Sequence, residues 1–335
     1  MSVRSSQSVR SSQVIRSPQF ISPRLVRSTR LVRSPQFGVA VLIWSVLATT
    51  AAAQTPRLSV APAVVRPGAI VRLTLTAPAT DSITSIRGEM AGEELHFLTR
   101  EAGIWRAIGG IPVGASDSVA ARVIIERSSG NADTSRVWAK LPPPPRARAG
   151  ARRGRPRRLS VDTRFTRPLD AETRARIDRE NARAREIGRR SHSTPYMWTT
   201  SFLRPRSSTV TSRFGSGRSF NGVVSSRHLG VDFRGGVGAP VVAANRGVVA
   251  LVDRFFLAGN VVYIDHGGGV VTGYFHLSRT DVSEGETVER GQQIGLVGAT
   301  GRVTGPHLHW TARYGALTVN PLDLVAIQSG WYGGR

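Results

Sequence analysis

Gly305-Pro306-His307-Leu308-His309-Trp310 sets two histidines two positions apart just after a Gly-Pro turn. Residues at i and i+2 share one face of an extended strand, so the spacing predicts both imidazoles on one side with Leu308 buried behind. Upstream, His228-Leu229-Gly230-Val231-Asp232 places a histidine and an aspartate four apart. That interval also suits a helix, but Gly230 and the surrounding Val and Gly disfavour one. On extended backbone, positions four apart again face the same way. His276, in Gly273-Tyr274-Phe275-His276-Leu277, adds a polar group from a separate strand. From about Tyr196 almost to the end the chain alternates short apolar runs with glycine turns, which predicts a β domain over residues 196–328.

Working outward, the 335 residues leave room for two compact domains plus tails, and 40% hydrophobic content is enough for a real core. Residues 55–141 alternate in the strand period, as in Val71-Arg72-Leu73-Thr74-Leu75, with turn signals at Pro67-Gly68 and Gly109-Gly110. Several short strands at this spacing predict a small immunoglobulin-like β-sandwich. Pro142 to Pro145 and the Arg-rich run at 146–158 predict an extended linker over 142–168. Residues 169–190 are polar and helix-favouring, with acids three or four positions from arginines, and predict an exposed helix packed on the next domain. The expected fold class is therefore mainly β.

The 16 residues at 38–53 are apolar, end in Ala51-Ala52-Ala53 and follow Arg30 and Arg33, as a cleaved export signal does. They are too few for the ~20 residues a membrane-spanning helix needs. Residues 1–37 repeat RSPQF and VRSSQ and read as a disordered basic extension, the mark a start site assigned too far upstream would leave. No cysteine is present, which excludes disulfides, thiolate metal sites and thiol catalysis. The net charge of +24 is concentrated in the tails and linker: residues 142–190 alone carry sixteen Arg against six acids. That distribution, with the export signal, argues against a nucleic-acid partner. It leaves attraction of the linker to anionic wall polymers or lipid headgroups as a reading.

Imidazole nitrogen and carboxylate oxygen are good zinc ligands, and three protein ligands leave a fourth position for water. The histidines left over match the needs of a peptidase, a proton acceptor for the attacking water and a stabiliser for the oxyanion. Residues 202–322 resemble the M23 family of peptidoglycan endopeptidases, the lysostaphin and LytM type. The motifs are Ser212-Arg213-Phe214-Gly215, HLGVDF at 228–233, GAPVVAANRGVV at 238–249, GNVVYIDHGGG at 259–269, GYFHLS at 273–278, the glycine-spaced run at 288–302 and TGPHLHW at 304–310.

The resemblance implies that His228, Asp232 and His309 bind one Zn²⁺ and that His276 and His307 are the catalytic pair. It implies an antiparallel β-sheet with a groove for an extended peptide, the peptide stems of peptidoglycan as substrate, and action in the periplasm or cell envelope. Relatives cut either glycine bridges or direct D-alanyl cross-links, and the direct cross-link is expected here because no separate wall-targeting repeat is visible. The alternative is a non-catalytic activator of another wall hydrolase, although such relatives typically lack a ligand. His266 is expected to be structural, and His96 and His192, with no partner near in sequence, incidental. The glycines at 235–236 and 267–269 either line the groove or serve hairpin geometry.

Overall fold

The computed structural model describes residues 55–143 and 157–327. The expected basic extension, the export signal and most of the Arg-rich run lie outside the described residues.

The first eight strands are β1 (Arg57–Ala61), β2 (Ile70–Thr76), β3 (Ile83–Met90), β4 (Glu93–Leu95), β5 (Leu98–Glu101), β6 (Ile104–Gly110), β7 (Ser118–Arg127) and β8 (Ala132–Lys140). They form two four-stranded antiparallel sheets, ordered β1-β2-β6-β5 and β4-β3-β7-β8. Val71, Leu73 and Leu75 alternate inward from one sheet and Ala121, Val123 and Ile125 from the other, all fully buried in one core. The alternation read in the sequence is thus the inner face of a sandwich. Between β3 and β4 the chain reverses at Ala91 and Gly92, both in the left-handed region at φ 56° and 80°. Two such residues make the tight turn that matches strand twist.

Residues 157–168, expected as the end of the linker, are instead built into the fold. Strand β9 (Arg157–Leu159) pairs parallel with β11 (Gly217–Phe220), and a single 3₁₀ turn follows at Thr163–Phe165. The apolar residues that the arginine run conceals, Leu159, Val161 and Phe165, cluster with Phe220. Helix α1 spans Ala171–Ser191, starting two residues later than expected because Asp170 caps it, accepting from the Thr173 amide at 2.6 Å. Ala184 and Ile187 are its buried face, against Leu251, Val261, Tyr263 and Val271. Burying Ile187 contributes roughly 2 kcal/mol.

The remaining elements are β10 (Val210–Ser212), β12 (Val224–Arg227), β13 (Val231–Arg234), β14 (Pro240–Val242), β15 (Gly247–Phe255), β16 (Gly259–Gly267), β17 (Val270–Thr280), β18 (Thr287–Val288), β19 (Gln293–Val297), β20 (His307–Tyr314), β21 (Leu317–Val319) and α2 (Pro321–Ala326). The main path of the large sheet runs β10-β13-β20-β17-β16-β15-β18, with β14, β19 and β21 attached, and every pairing in it is antiparallel. One face carries Leu308, Trp310 and Tyr274, fully buried in the main core. The opposite face carries His309 and, on β17 two and four residues along, Phe275, Gly273 and Val271. Helix α1 covers the inner part of that second face through Val271 and Tyr263, leaving the His309 end open.

The glycines at 267–269 make the β16–β17 hairpin, all with positive φ, and pack against Pro195, Tyr196 and His192. Hairpin geometry is therefore their role. The sandwich and the large sheet are joined closely: Ile70 and Ile108 enter the main core, the Asn320 amide donates to Gly68 O at 2.7 Å, and the Tyr314 hydroxyl donates to Glu94 O at 2.6 Å.

Candidate metal centre

Strand β20 lies between β13 and β17, and its register sets Asp232 opposite His309 on one side and Phe275 opposite His309 on the other. Alternation then puts His307 on the same face as His309, with Leu308 behind. His228 stands in the link just before β13 rather than on the strand, held by its own amide donating to Ser216 O at 2.8 Å. These positions bring three ligand atoms together. His228 Nε2 lies 3.0 Å from His309 Nδ1 and 3.0 Å from Asp232 Oδ1, and His309 Nδ1 lies 2.9 Å from Asp232 Oδ1.

Supporting contacts fix which nitrogen each ring presents. His228 Nδ1 is 3.0 Å from Arg213 O; a carbonyl only accepts, so that nitrogen carries the proton and Nε2 offers its lone pair. Gly230 makes room for the third ligand, since a Cβ there would stand 2.5 Å from His309 Nε2. Phe275 stacks on the His309 ring at 5.2 Å between centroids, 22° from parallel. Arg218, on β11, bonds both Asp232 Oδ2 and Ser212 Oγ, so the carboxylate keeps one oxygen for the cluster.

His276 and His307 face this cluster from the side. Their ring centroids are 4.9 Å apart, and His307 Nε2 is 3.7 Å from Asp232 Oδ1. His276 Nδ1 donates to Thr300 O and His307 Nδ1 to Gly305 O, each at 2.8 Å, so both turn an Nε2 lone pair inward. His276 is held in this pose by left-handed backbone at φ 64°, a conformation that costs a residue with a side chain roughly 1–2 kcal/mol.

The electrostatics favour neutral rings at His309 and His276 beside an ionised carboxylate. Burial pushes His309 down to about 4 against the opposing pull of Asp232. Burial, then the neighbouring His307 and His309, push His276 well below the ordinary histidine value. Burial alone would raise Asp232, but the adjoining His228 and His309 rings outweigh it and hold the carboxyl well below the usual range. A divalent cation bound here would replace any proton shared between these rings and the carboxylate.

A cleft of about 270 Å³ opens beside Asp232 and His307, walled by Arg157, Arg218, Arg234 and Arg302. Arg302 lies over the Phe220 ring, 4.2 Å from its centroid. Another cavity, about 740 Å³, is lined by residues between Pro62 and Arg72, by the Leu322–Ile327 end, and by Arg213, Phe214, Gly215 and Arg227 next to His228.

All five predicted residues therefore meet in one place. Sequence reasoning gave no role to Ser212, Arg218 or Phe275, although Ser212 and Phe275 both lie in quoted motifs. His266 is structural as expected: fully buried, its ring bonds Arg246 O and Thr272 Oγ1, each at 2.8 Å. The expectation that His96 and His192 are incidental needs correction, because they lie 2.8 Å apart, nitrogen to nitrogen.

Residues 226–321, which span this whole cluster, match the profile of peptidase family M23. The C-terminal domain belongs to the M23 family. Within the M23 domain the similarity to curated relatives is high. The chain is 51% identical over 83 residues to the peptidoglycan DD-endopeptidase ShyA of Vibrio cholerae, covering 25% of this chain and 19% of that protein. It is 45% identical over 98 residues to the DD-carboxypeptidase/endopeptidase Mpg of Neisseria meningitidis, covering 29% and 23%. The matches thus span under a quarter of these relatives' lengths. Similarity beyond the M23 domain comes from a crystal structure assigned to peptidase M23 from Pseudomonas aeruginosa, with TM-score 0.57 and 25% identity, covering 78% of this chain and 94% of that one.

Proposed function

We propose that this protein is a zinc-dependent endopeptidase that hydrolyses peptide cross-links of bacterial peptidoglycan in the cell envelope. The observation that carries the reading is the convergence of His228 Nε2, His309 Nδ1 and Asp232 Oδ1 within 3.0 Å of one another, with two further imidazoles turned inward beside them. The donor set suits zinc, and Gly230 leaves space for His309 that a side chain would fill. His228, Asp232 and His309 are the residues that would hold the ion. Zinc bound there supplies Lewis acidity toward the scissile carbonyl and lowers the pKa of water.

The chain's own groups supply proton transfer and orientation. His276 and His307 divide two tasks, one taking the proton of the attacking water and returning it to the leaving amine, the other facing the oxyanion. Backbone carbonyls orient both rings, so neither reorganises during the reaction. The arginine-walled cleft is suited to a substrate carrying free carboxylates. A direct D-alanyl cross-link is the bond favoured, in keeping with the DD-endopeptidase names of similar proteins.

The organisation is read the same way. The sandwich at 57–140 is taken as immunoglobulin-like, since its strand order follows that pairing with one strand added beside β3. Residues 38–53 are taken as an export signal, and the Arg-rich segment as a site of salt-sensitive attraction to anionic wall polymers or lipid headgroups.

The test is chelator-sensitive digestion of purified peptidoglycan alongside metal analysis, with mass spectrometry of the products from defined muropeptides. One zinc at the His228 centre and newly freed D-alanyl termini are expected. Intact muropeptides after incubation with zinc-loaded protein would overturn the reading and leave a non-catalytic role.

A further inference from the structure

Glu94, His96 and His192 bring three ligand atoms within 4.8 Å of one another at the seam between the sandwich and the M23 domain. They come from distant parts of the chain: Glu94 in β4, His96 in the link to β5, and His192 at the C-cap of α1. His96 Nε2 lies 2.8 Å from His192 Nδ1, and the two rings stack with centroids 5.1 Å apart. The spacing repeats that of the first centre, where His228 Nε2 and His309 Nδ1 are 3.0 Å apart beside a carboxylate. Two imidazole nitrogens on one tetrahedral zinc stand about 3.3 Å apart, so a small outward shift of either ring admits an ion.

A second observation points the same way. His192 Nε2 is 2.9 Å from Glu93 Oε2, and Glu93 is buried with its other oxygen accepting from the Ala316 amide at 3.0 Å. A carboxylate only accepts, so the proton of His192 sits on Nε2 and its Nδ1 presents a lone pair to the cluster. A carboxylate behind an imidazole is the arrangement by which proteins orient metal-binding histidines and raise their basicity. The ring is also wedged: a Cβ at Gly269 or at Gly315 would come within 2.5 Å of its atoms. On the open side lies a cavity of about 600 Å³, lined by Glu94, His96, His192, Thr194 and Tyr196 among others.

We infer that Glu94, His96 and His192 form a second divalent-cation site, of zinc type, that cross-links the sandwich to the M23 domain. Two imidazoles and one carboxylate select zinc over calcium or magnesium, which take oxygen ligands. The fourth position faces the cavity, where water or a small anion completes the shell. Glu93 is a positioning residue that acts through His192. The ion ties β4 to the end of the helix that covers the sheet face beside the first centre. The site stands whether or not the first centre holds zinc.

Zinc binding to the full chain by equilibrium dialysis against Zn²⁺ alone tests this. Wild type is expected to hold two ions, the His228→Ala/His309→Ala variant one, and His96→Gln one. Adding Zn²⁺ to the His228→Ala/His309→Ala variant is expected to raise its thermal midpoint by several degrees, and a further His96→Gln change to abolish the rise. Circular dichroism of each metal-free variant checks folding. Should His96→Gln fail to fold, Glu94→Gln at an exposed carboxylate takes its place and is expected to weaken the second ion at least tenfold. A single ion in wild type that persists in His96→Gln, or no ion in His228→Ala/His309→Ala, overturns the proposal. A single ion lost only in His96→Gln leaves this site standing and sinks zinc at the first centre.

Discussion

Gly230 and His309 are packed so closely that a methyl group on the glycine would stand 2.5 Å from His309 Nε2 and 2.7 Å from the Trp310 carbonyl. The carbonyl belongs to a central strand and cannot retreat, so the ring must. Gly230→Ala is therefore expected to weaken zinc binding at least tenfold while leaving the circular dichroism spectrum unchanged. Full zinc occupancy in that variant would show that His309 has slack the geometry does not suggest.

His276 combines an inward-facing Nε2 with left-handed backbone, and two substitutions separate the roles. His276→Gly and His276→Ala both remove the ring and are expected to lower kcat by about 10²–10⁴ with zinc retained. Glycine relieves the backbone and alanine does not, so the glycine variant should be more stable by about 1 kcal/mol. Equal stability by chemical denaturation would mean the φ of 64° carries no strain.

Acid stability should respond to His266. Burial lowers its folded pKa to about 4, whereas the unfolded chain titrates near the ordinary value of 6.5. Between those values the unfolded state binds the extra proton, so stability falls as pH drops from 6.5 toward 4 and is complete only above 6.5. The full contribution is about 3 kcal/mol. The slope of unfolding free energy over that window should flatten in His266→Gln; an unchanged slope would place the acid sensitivity elsewhere.

Arg302 stacks on Phe220 at the wall of the cleft, and its burial followed by the nearby Arg218 charge lowers its pKa. A guanidinium so placed suits a substrate carboxylate. Arg302→Gln is expected to raise KM for stem peptides with free carboxylates about tenfold, with kcat within twofold and the difference shrinking at high salt. A loss confined to kcat would instead place Arg302 near the reacting bond.

Much of the first centre was legible because its spacings are local. His307 and His309 share a strand face by parity, and His228 needs only Gly230 to reach Asp232's side. The second cluster was not, because His96 and His192 are 96 residues apart in sequence and meet only when α1 lands on the sheet beside the sandwich. Strand β9 was hidden for another reason: Arg157-Arg158-Leu159 has the composition of a linker, and only its parallel partner in β11 makes it a strand. The helix boundary moved by two residues because the Asp170 cap, not the charge pattern, sets where α1 begins.

That short parallel strand alters where the unit that carries the histidine cluster starts. Arg157 and Leu159 line the cleft beside His307, so a fragment trimmed at residue 169 would keep all five clustered side chains yet lose part of one bank of that cleft. The shortest chain that retains both banks begins at Arg157, within the last two residues of the arginine-dense run.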